Sequence, residues 1–121
     1  MIIKIPGLDV EKALDLYDDD IDLYLAVLRS YAANTPAALD RMRNVSADTL
    51  GDYTAAAHGV KGTSTNIGAE ETRASGLKLE MMGKAGDLSG ILAMNETFIQ
   101  HVEDLLKNIN SWLKEYDAKG R

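Results

Sequence analysis

The sequence predicts an all-α fold: an antiparallel four-helix bundle with an additional short N-terminal helix. Three observations point there. Apolar residues recur three and four positions apart along most of the chain, prolines number only two, and no alternating strand pattern or two-residue hairpin signal breaks the rhythm. The connections are short, which places successive helices side by side and antiparallel. With 121 residues the chain fits one domain, 1–121, and no internal repeat divides it.

Taken in order, Asp9 is placed to cap a first helix through about Tyr17, with Val10, Ala13, Leu14 and Tyr17 on one face. The run Asp18-Asp19-Asp20 reads as a solvated helix start, because carboxylates favour the positive end of the helix dipole. A long second helix follows from about Asp20 to Arg43, with Ile21, Tyr24, Leu25, Leu28, Tyr31, Ala32, Leu39 and Met42 at a period near 3.6. Pro36 is expected to kink or interrupt it, with Asn34-Thr35 restarting the helix. Ser46 or Asp48 caps a third helix that stops in the Asn66-Ile67-Gly68 turn. A fourth runs from Glu70 to Lys84 and ends in the Gly83, Gly86 and Asp87 cluster. The last spans about Leu88 to Tyr116. It carries Ile91, Leu92, Met94, Phe98, Ile99, Val102, Leu105, Leu106, Ile109, Trp112 and Leu113, before a polar tail, Asp117 to Arg121, expected to fray.

Composition excludes several classes. Hydrophobic residues at 45% and charged residues at 26% match an ordinary globular domain, neither disordered nor membrane-embedded. No apolar run reaches the roughly 18 residues of a spanning helix, and Met1 to Gly7 lacks the parts of a signal peptide. The expected location is the cytoplasm. Without cysteine there is neither disulfide nor thiolate metal site. A net charge of −6 argues against nucleic acid, whose binders cluster Lys and Arg on the phosphate backbone.

The stretch AAAHGVKGTSTNIGAEE, Ala55 to Glu71, departs from good helix composition. On a helical wheel, Leu50, Tyr53, Ala57, Val60, Ser64 and Ile67 form a core stripe. His58 lies opposite with Thr54, Ala55, Lys61, Gly62 and Thr65, all within about 60° of it. An exposed histidine needs no function, but Gly59 and Gly62 each cost about 1 kcal/mol against alanine in a helix interior. A sequence breaks a local rule of this kind for close packing or for a site. A neutral imidazole is a nucleophile, and a free histidine, with a pKa of about 6.5, is mostly neutral at pH 7. Were the electrophile phosphorus, Lys61 one turn away would offset charge on the transferring oxygens, and Gly62 would leave room for a large partner.

These residues carry a resemblance. His58-Gly59-Val60-Lys61-Gly62, followed by Asn66-Ile67-Gly68-Ala69, resembles the H-x-x-K-G-(x)5-G signature of the histidine-containing phosphotransfer (HPt) family of multistep phosphorelays. Leu77 to Asp87, LKLEMMGKAGD, is similar to the family's next helix and turn, and Asp19 to Tyr31 to its long helix with the D-x-x-L-Y pattern. Nearly the whole chain is covered. The resemblance implies a helical bundle in which His58 accepts a phosphoryl group from a receiver-domain aspartate and passes it to another receiver. It implies Lys61 as charge partner, Gly62 as the opening for the receiver, and Gly68 as the helix-ending turn. Partners would be response-regulator receiver domains and a hybrid or other sensor histidine kinase. Mg²⁺ would belong to the receiver, so the chain itself would need no metal or other cofactor and no kinase activity, and a monomer suits such a carrier. Two further readings stand beside this: a helical interaction module without phosphotransfer, and a direct substrate domain of a histidine kinase. The residue after the histidine is usually larger than Gly59. Family members often hold the second imidazole nitrogen with a polar residue of the next helix, for which Lys78, Glu80 and Lys84 are open candidates.

Other features have plainer readings. Neither Gly62 to Gly68 nor Gly83-Lys84-Ala85 has the G-K-[ST] ending of a nucleotide-binding loop, so ATP binding is not expected. His101 has no second ligand at metal spacing and reads as a surface or boundary residue. Met81-Met82 reads as a core edge, and Trp112 with the tyrosines as core or boundary packing.

Overall fold

The computed structural model describes residues 3–120; Met1, Ile2 and Arg121 lie outside them. It is all-helical, with five α-helices and no strand among the described residues. Helix α1 is Val10–Leu14, α2 Ile21–Met42, α3 Leu50–Ile67, α4 Glu70–Ala85 and α5 Leu88–Ala118. Short 3-10 turns, Asp15–Tyr17 and Ala47–Thr49, follow α1 and precede α3.

The helix starts follow local chemistry. Asp9, Asp20 and Asp87 each accept a hydrogen bond from a backbone N–H three residues on, satisfying one of the free donors of a first turn. Of the aspartate run only Asp20 is a cap. Asp18 and Asp19 take left-handed backbone angles, φ 51° and 61°, and form the turn that closes the preceding 3-10 segment, a conformation aspartate tolerates better than most residues. Before α3 the Ser46 N–H donates to the Thr49 hydroxyl at 2.9 Å, so Ser46, and not Asp48, marks that start.

Three sequence expectations are corrected. Helix α2 runs unbroken through Pro36, which sits on its exposed side, where solvent can serve the carbonyl that proline leaves without a donor. Gly83 does not end α4; it lies inside the helix, which stops at Gly86 with φ 72°. Helix α5 extends two residues past Tyr116, to Ala118, and Asp117 within the expected frayed tail pairs with Arg29 of α2 at 2.6 Å.

Helix α2 runs antiparallel to both α3 and α5, as the pairs between them show. Tyr31 of α2 meets Ser64 of α3 while Arg41 meets Asp52. Arg29 and Arg43 of α2 meet Asp117 and Glu103 of α5. Thr72 of α4 meets His101 of α5. Helix α3 packs against both α2 and α4, and α5 against the same two helices from the other side. The core between them holds Tyr24, Leu28, Leu39, Met42, Tyr53, Val60, Leu79, Ile91, Val102 and Ile109, all but sealed from solvent. Each such buried aliphatic contributes about 1.5–3 kcal/mol. Leu92, counted in the apolar stripe of α5, is 60% exposed instead.

Several buried polar groups are hydrogen-bonded. Asn95 donates to the Met42 carbonyl and accepts from the Tyr53 hydroxyl, each at 2.8 Å. The carbonyls of Asn66 and Ile67, free at the end of α3, receive the hydroxyls of Tyr17 and Tyr24. Gly68 ends α3 with φ 83° and faces the Asp9 carbonyl so closely that a side chain there would collide with it. The N-terminal segment is thus fastened to the end of the helix that carries His58. Among the described residues, no helix is long and apolar enough to cross a membrane.

Candidate functional site

The site grows from one seam, where α3 and α4 pass each other. Gly76 faces Lys61, whose Cβ, Cα and N lie 3.4 to 3.6 Å from where a Gly76 Cβ would stand. Two turns along, a Cβ on Gly83 would strike the Thr54 side chain. Thr54 and Lys61 are seven apart on α3, and Gly76 and Gly83 seven apart on α4, so each pair sits on one helical face. Two missing side chains bring the helices close, and between those contacts lie His58 and Glu80.

Close approach buries Glu80, whose side chain is 3% exposed, and gives it three basic neighbours. His58 Nδ1 lies 2.9 Å from Glu80 Oε2, and the Lys84 ammonium 3.1 Å from the same oxygen. The Lys61 ammonium lies 2.7 Å from Oε1. That oxygen accepts no well-directed hydrogen bond, so the ion pair with Lys61 is what compensates it. A buried carboxylate ordinarily resists ionisation. Here the Lys61 ammonium, first among the causes, holds the Glu80 carboxyl down to about 2, with Lys84 and His58 adding to it against the opposing effect of burial. Glu80 is therefore an anion at neutral pH.

An anion at Nδ1 sets the histidine's tautomer. A carboxylate only accepts, so Nδ1 must carry the proton, which leaves the lone pair of a neutral ring on Nε2. The His58 side chain is 66% exposed, and Nε2 has no protein partner among the described residues. The result is a fixed ring presenting a bare nitrogen to solvent.

The residues singled out in the sequence are brought together unevenly. His58 and Gly62 are exposed on α3 as the wheel places them, Gly59 is exposed beside them, and of the stripe Tyr53, Ala57, Val60, Ser64 and Ile67 are buried while Leu50 is partly so. A Cβ on Gly59 or Gly62 would meet nothing within 4 Å, so neither glycine serves packing inside the chain. Lys61 is less open than the wheel suggests: its side chain is 24% exposed, turned to Glu80 across the seam. Of the three candidates for holding the imidazole, Glu80 does so, Lys84 joins through Glu80, and Lys78 is exposed to solvent. The packing role of Gly76 and Gly83 escaped the sequence reading. Its signal was present as Gly76, Glu80 and Gly83, spaced four and three apart on one helical face.

Around the site, a groove of about 290 Å³ runs between α2 and α3, lined by Val27, Asn34, Ala38, Gly59 and Thr63 among others. On α4, Leu77 and Met81 are exposed one turn apart, followed three residues later by Lys84. Met82 packs against the core edge as expected, whereas Met81 does not. A larger hollow, about 740 Å³, lies along α5 beside Arg43 and His101. It is remote in chemistry as well as place: Arg43 is paired with Asp40 and Glu103, and His101 with the Thr72 hydroxyl. Among the described residues no group of three His, Asp or Glu could hold a metal ion. No protein-family model, no curated protein and no solved structure matches the chain.

Proposed function

We propose that this chain is a phosphohistidine carrier of the HPt type, an antiparallel four-helix bundle with an added N-terminal helix. In this reading it takes a phosphoryl group on His58 from a receiver-domain aspartate and returns it to another receiver. The observation that carries the reading is the exposed imidazole whose Nδ1 is fixed by a buried, ionised Glu80 while Nε2 stands bare. A structural histidine has no need of that arrangement.

The chemistry follows from the tautomer. The Nε2 lone pair attacks phosphorus, the Nε2–P bond forms, and the bond from phosphorus to the aspartyl oxygen breaks, freeing the receiver's carboxylate. Nδ1 keeps its proton, so the ring gains positive charge as the new bond forms. Glu80 already faces that charge, and a preorganised opposite charge needs no reorganisation at the moment of reaction. The same fixed ring leaves as a neutral imidazole in the return step. Lys61 is the charge partner that holds Glu80 and adds positive potential. Gly62 is the opening, one turn from His58, where an added Cβ would meet no other side chain within 4 Å among the described residues. The receiver brings the aspartate and Mg²⁺, and the carrier works as a cytoplasmic monomer facing successive receivers or a sensor kinase.

Incubation with a phosphorylated receiver and Mg²⁺ tests this. Wild-type protein is expected to gain an acid-labile, base-stable phosphoryl group, and His58→Gln none. Label equal on the two proteins, or no label across cognate receivers, would sink the proposal in favour of an interaction module. Label from ATP plus a histidine kinase with no receiver present would point to a direct kinase substrate.

A further inference from the structure

Two lysines touch Glu80, and they are built differently. The Lys61 stem is packed into the α3/α4 seam against Gly76, and its ammonium sits on the buried Oε1, which has no other partner among the described residues. Withdrawing it would leave a buried charge uncompensated, so Lys61 is held where it is. The Lys84 side chain is 62% exposed, and its ammonium shares Oε2 with His58 Nδ1. With its cation mostly in solvent and its geometry that of a helix pair four residues apart, the Lys84 contact is held more loosely than that of Lys61 and is more easily exchanged for another anion. Losing Lys84 from Oε2 leaves that oxygen its hydrogen bond from His58.

We propose a division of labour at the carrier site: Lys84 is the cation that meets the phosphoryl group on His58, and Lys61 is a positioning residue that fixes Glu80. The inference rests on the phosphocarrier reading and names the group that contacts the transferred phosphoryl. Ammonium and imidazole both lie within hydrogen-bond reach of one oxygen, so Lys84 is already the neighbour of the ring. When a dianionic phosphoryl group arrives on Nε2, the Lys84 ammonium exchanges one Glu80 oxygen for the phosphoryl oxygens. Its long, solvent-facing stem permits the exchange without moving either helix. Lys61 stays on Oε1 throughout and keeps Glu80 ionised and aimed at Nδ1.

Phosphoramidate, a small donor that needs no partner protein, separates the roles. Nε2–P forms, the donor's P–N bond breaks, ammonia leaves with the protons already on the donor nitrogen, and Nδ1 keeps its own. Labelling is followed by ³¹P NMR and the Nδ1–H by ¹⁵N-edited NMR. Lys84→Gln is expected to slow labelling of His58 roughly tenfold, less than the 10²–10³ of a donor lost from a water-excluded site. The Nδ1–H signal should be unchanged, and Lys84→Arg should restore the rate. Lys61→Met should weaken the Nδ1–H signal and lower the melting temperature. Labelling of Lys84→Gln at the wild-type rate would overturn the inference, as would a slow Lys84→Gln that has also lost the Nδ1–H signal, since Lys84 would then act only through Glu80. Wild-type protein that takes no label from phosphoramidate or from any receiver would overturn the carrier reading itself, and this inference with it.

Discussion

Of the five glycines inside the two helices that frame His58, four lie within two turns of the His58–Glu80 contact, and a methyl group added to them meets opposite surroundings. On α3, Gly59 and Gly62 face open space. On α4, Gly76 would press against Lys61 and Gly83 would collide with Thr54. The α4 pair lets two helices approach until Glu80 is buried against His58, whereas the α3 pair keeps the other side of the same histidine uncovered. One pair builds the site and the other leaves it accessible. Helix propensity alone assigns all four the same penalty, so only their surroundings tell them apart.

The largest expected effect comes from filling the open side. Gly62→Phe places a large side chain one turn from His58 without disturbing a packed neighbour. Transfer from a phosphorylated receiver should fall on the order of 100-fold, the scale of a misplaced reactant, while thermal unfolding changes little. Labelling by phosphoramidate, which is small, should fall far less. A variant that loses both alike would mean that Gly62 shapes the histidine and not the approach to it.

Next is the group the close pair buries. Glu80→Gln removes the charge that two lysines and His58 Nδ1–H share and should cost about 1.5–3 kcal/mol, the range for hydrogen bonds to charged groups. The cost should depend on pH. The folded carboxyl sits at about 2, below the roughly 4.3 of a free glutamate, so its ionisation stabilises the fold fully above the unfolded value and loses that contribution as pH falls through the folded one. The stability gap between wild type and Glu80→Gln should therefore narrow between about pH 4.3 and 2. A constant gap over that range would remove the ion network as its cause.

How much of this was legible in the sequence depended on which forces acted. Periodicity and caps depend on neighbours within a few residues, so all five helices, the capping of α1 by Asp9, and the buried stripe of α3 could be read directly, whereas Asp87, read as part of the stop of α4, caps α5 instead. Pro36 misled because its cost depends on which side of α2 faces solvent, a tertiary fact. Gly83 misled because a glycine near a helix end looks like a stop, and only the Thr54 side chain across the seam shows why it is inside. In the site, the exposure of His58 followed from its phase on the wheel. The choice of Glu80 over Lys78 and Lys84 as its partner did not, since all three lie on α4 within reach of a guess. The packing against Thr54 and Lys61 turns Glu80 inward and leaves Lys78 in solvent.

Gly83→Ala addresses that seam with a smaller effect. The new methyl competes with Thr54, whose hydroxyl is bonded to the Leu50 carbonyl at 2.7 Å. Overpacking of this kind costs about 1–3 kcal/mol, of which about 1 is offset by the better helix propensity of alanine. Adding Thr54→Ala should recover most of the loss, and the two changes should be clearly non-additive in a double-mutant cycle. Additive effects would place the collision elsewhere.

Gly59→Ala is the mildest change and the sharpest comparison, because it should go the other way. Its Cβ would meet nothing within 4 Å, and its backbone is helical, so alanine should stabilise the protein by up to about 1 kcal/mol in chemical denaturation. A sequence that forgoes this gain at an unpacked position forgoes it for something outside the chain. Gly59 lines the α2/α3 groove next to His58, which makes that groove the place to look. If Gly59→Ala is more stable and also slower in transfer from a receiver but not from phosphoramidate, the glycine keeps the groove open for the partner. If it is more stable and equally fast with both donors, the groove takes no part in docking, and the access function falls to Gly62 alone.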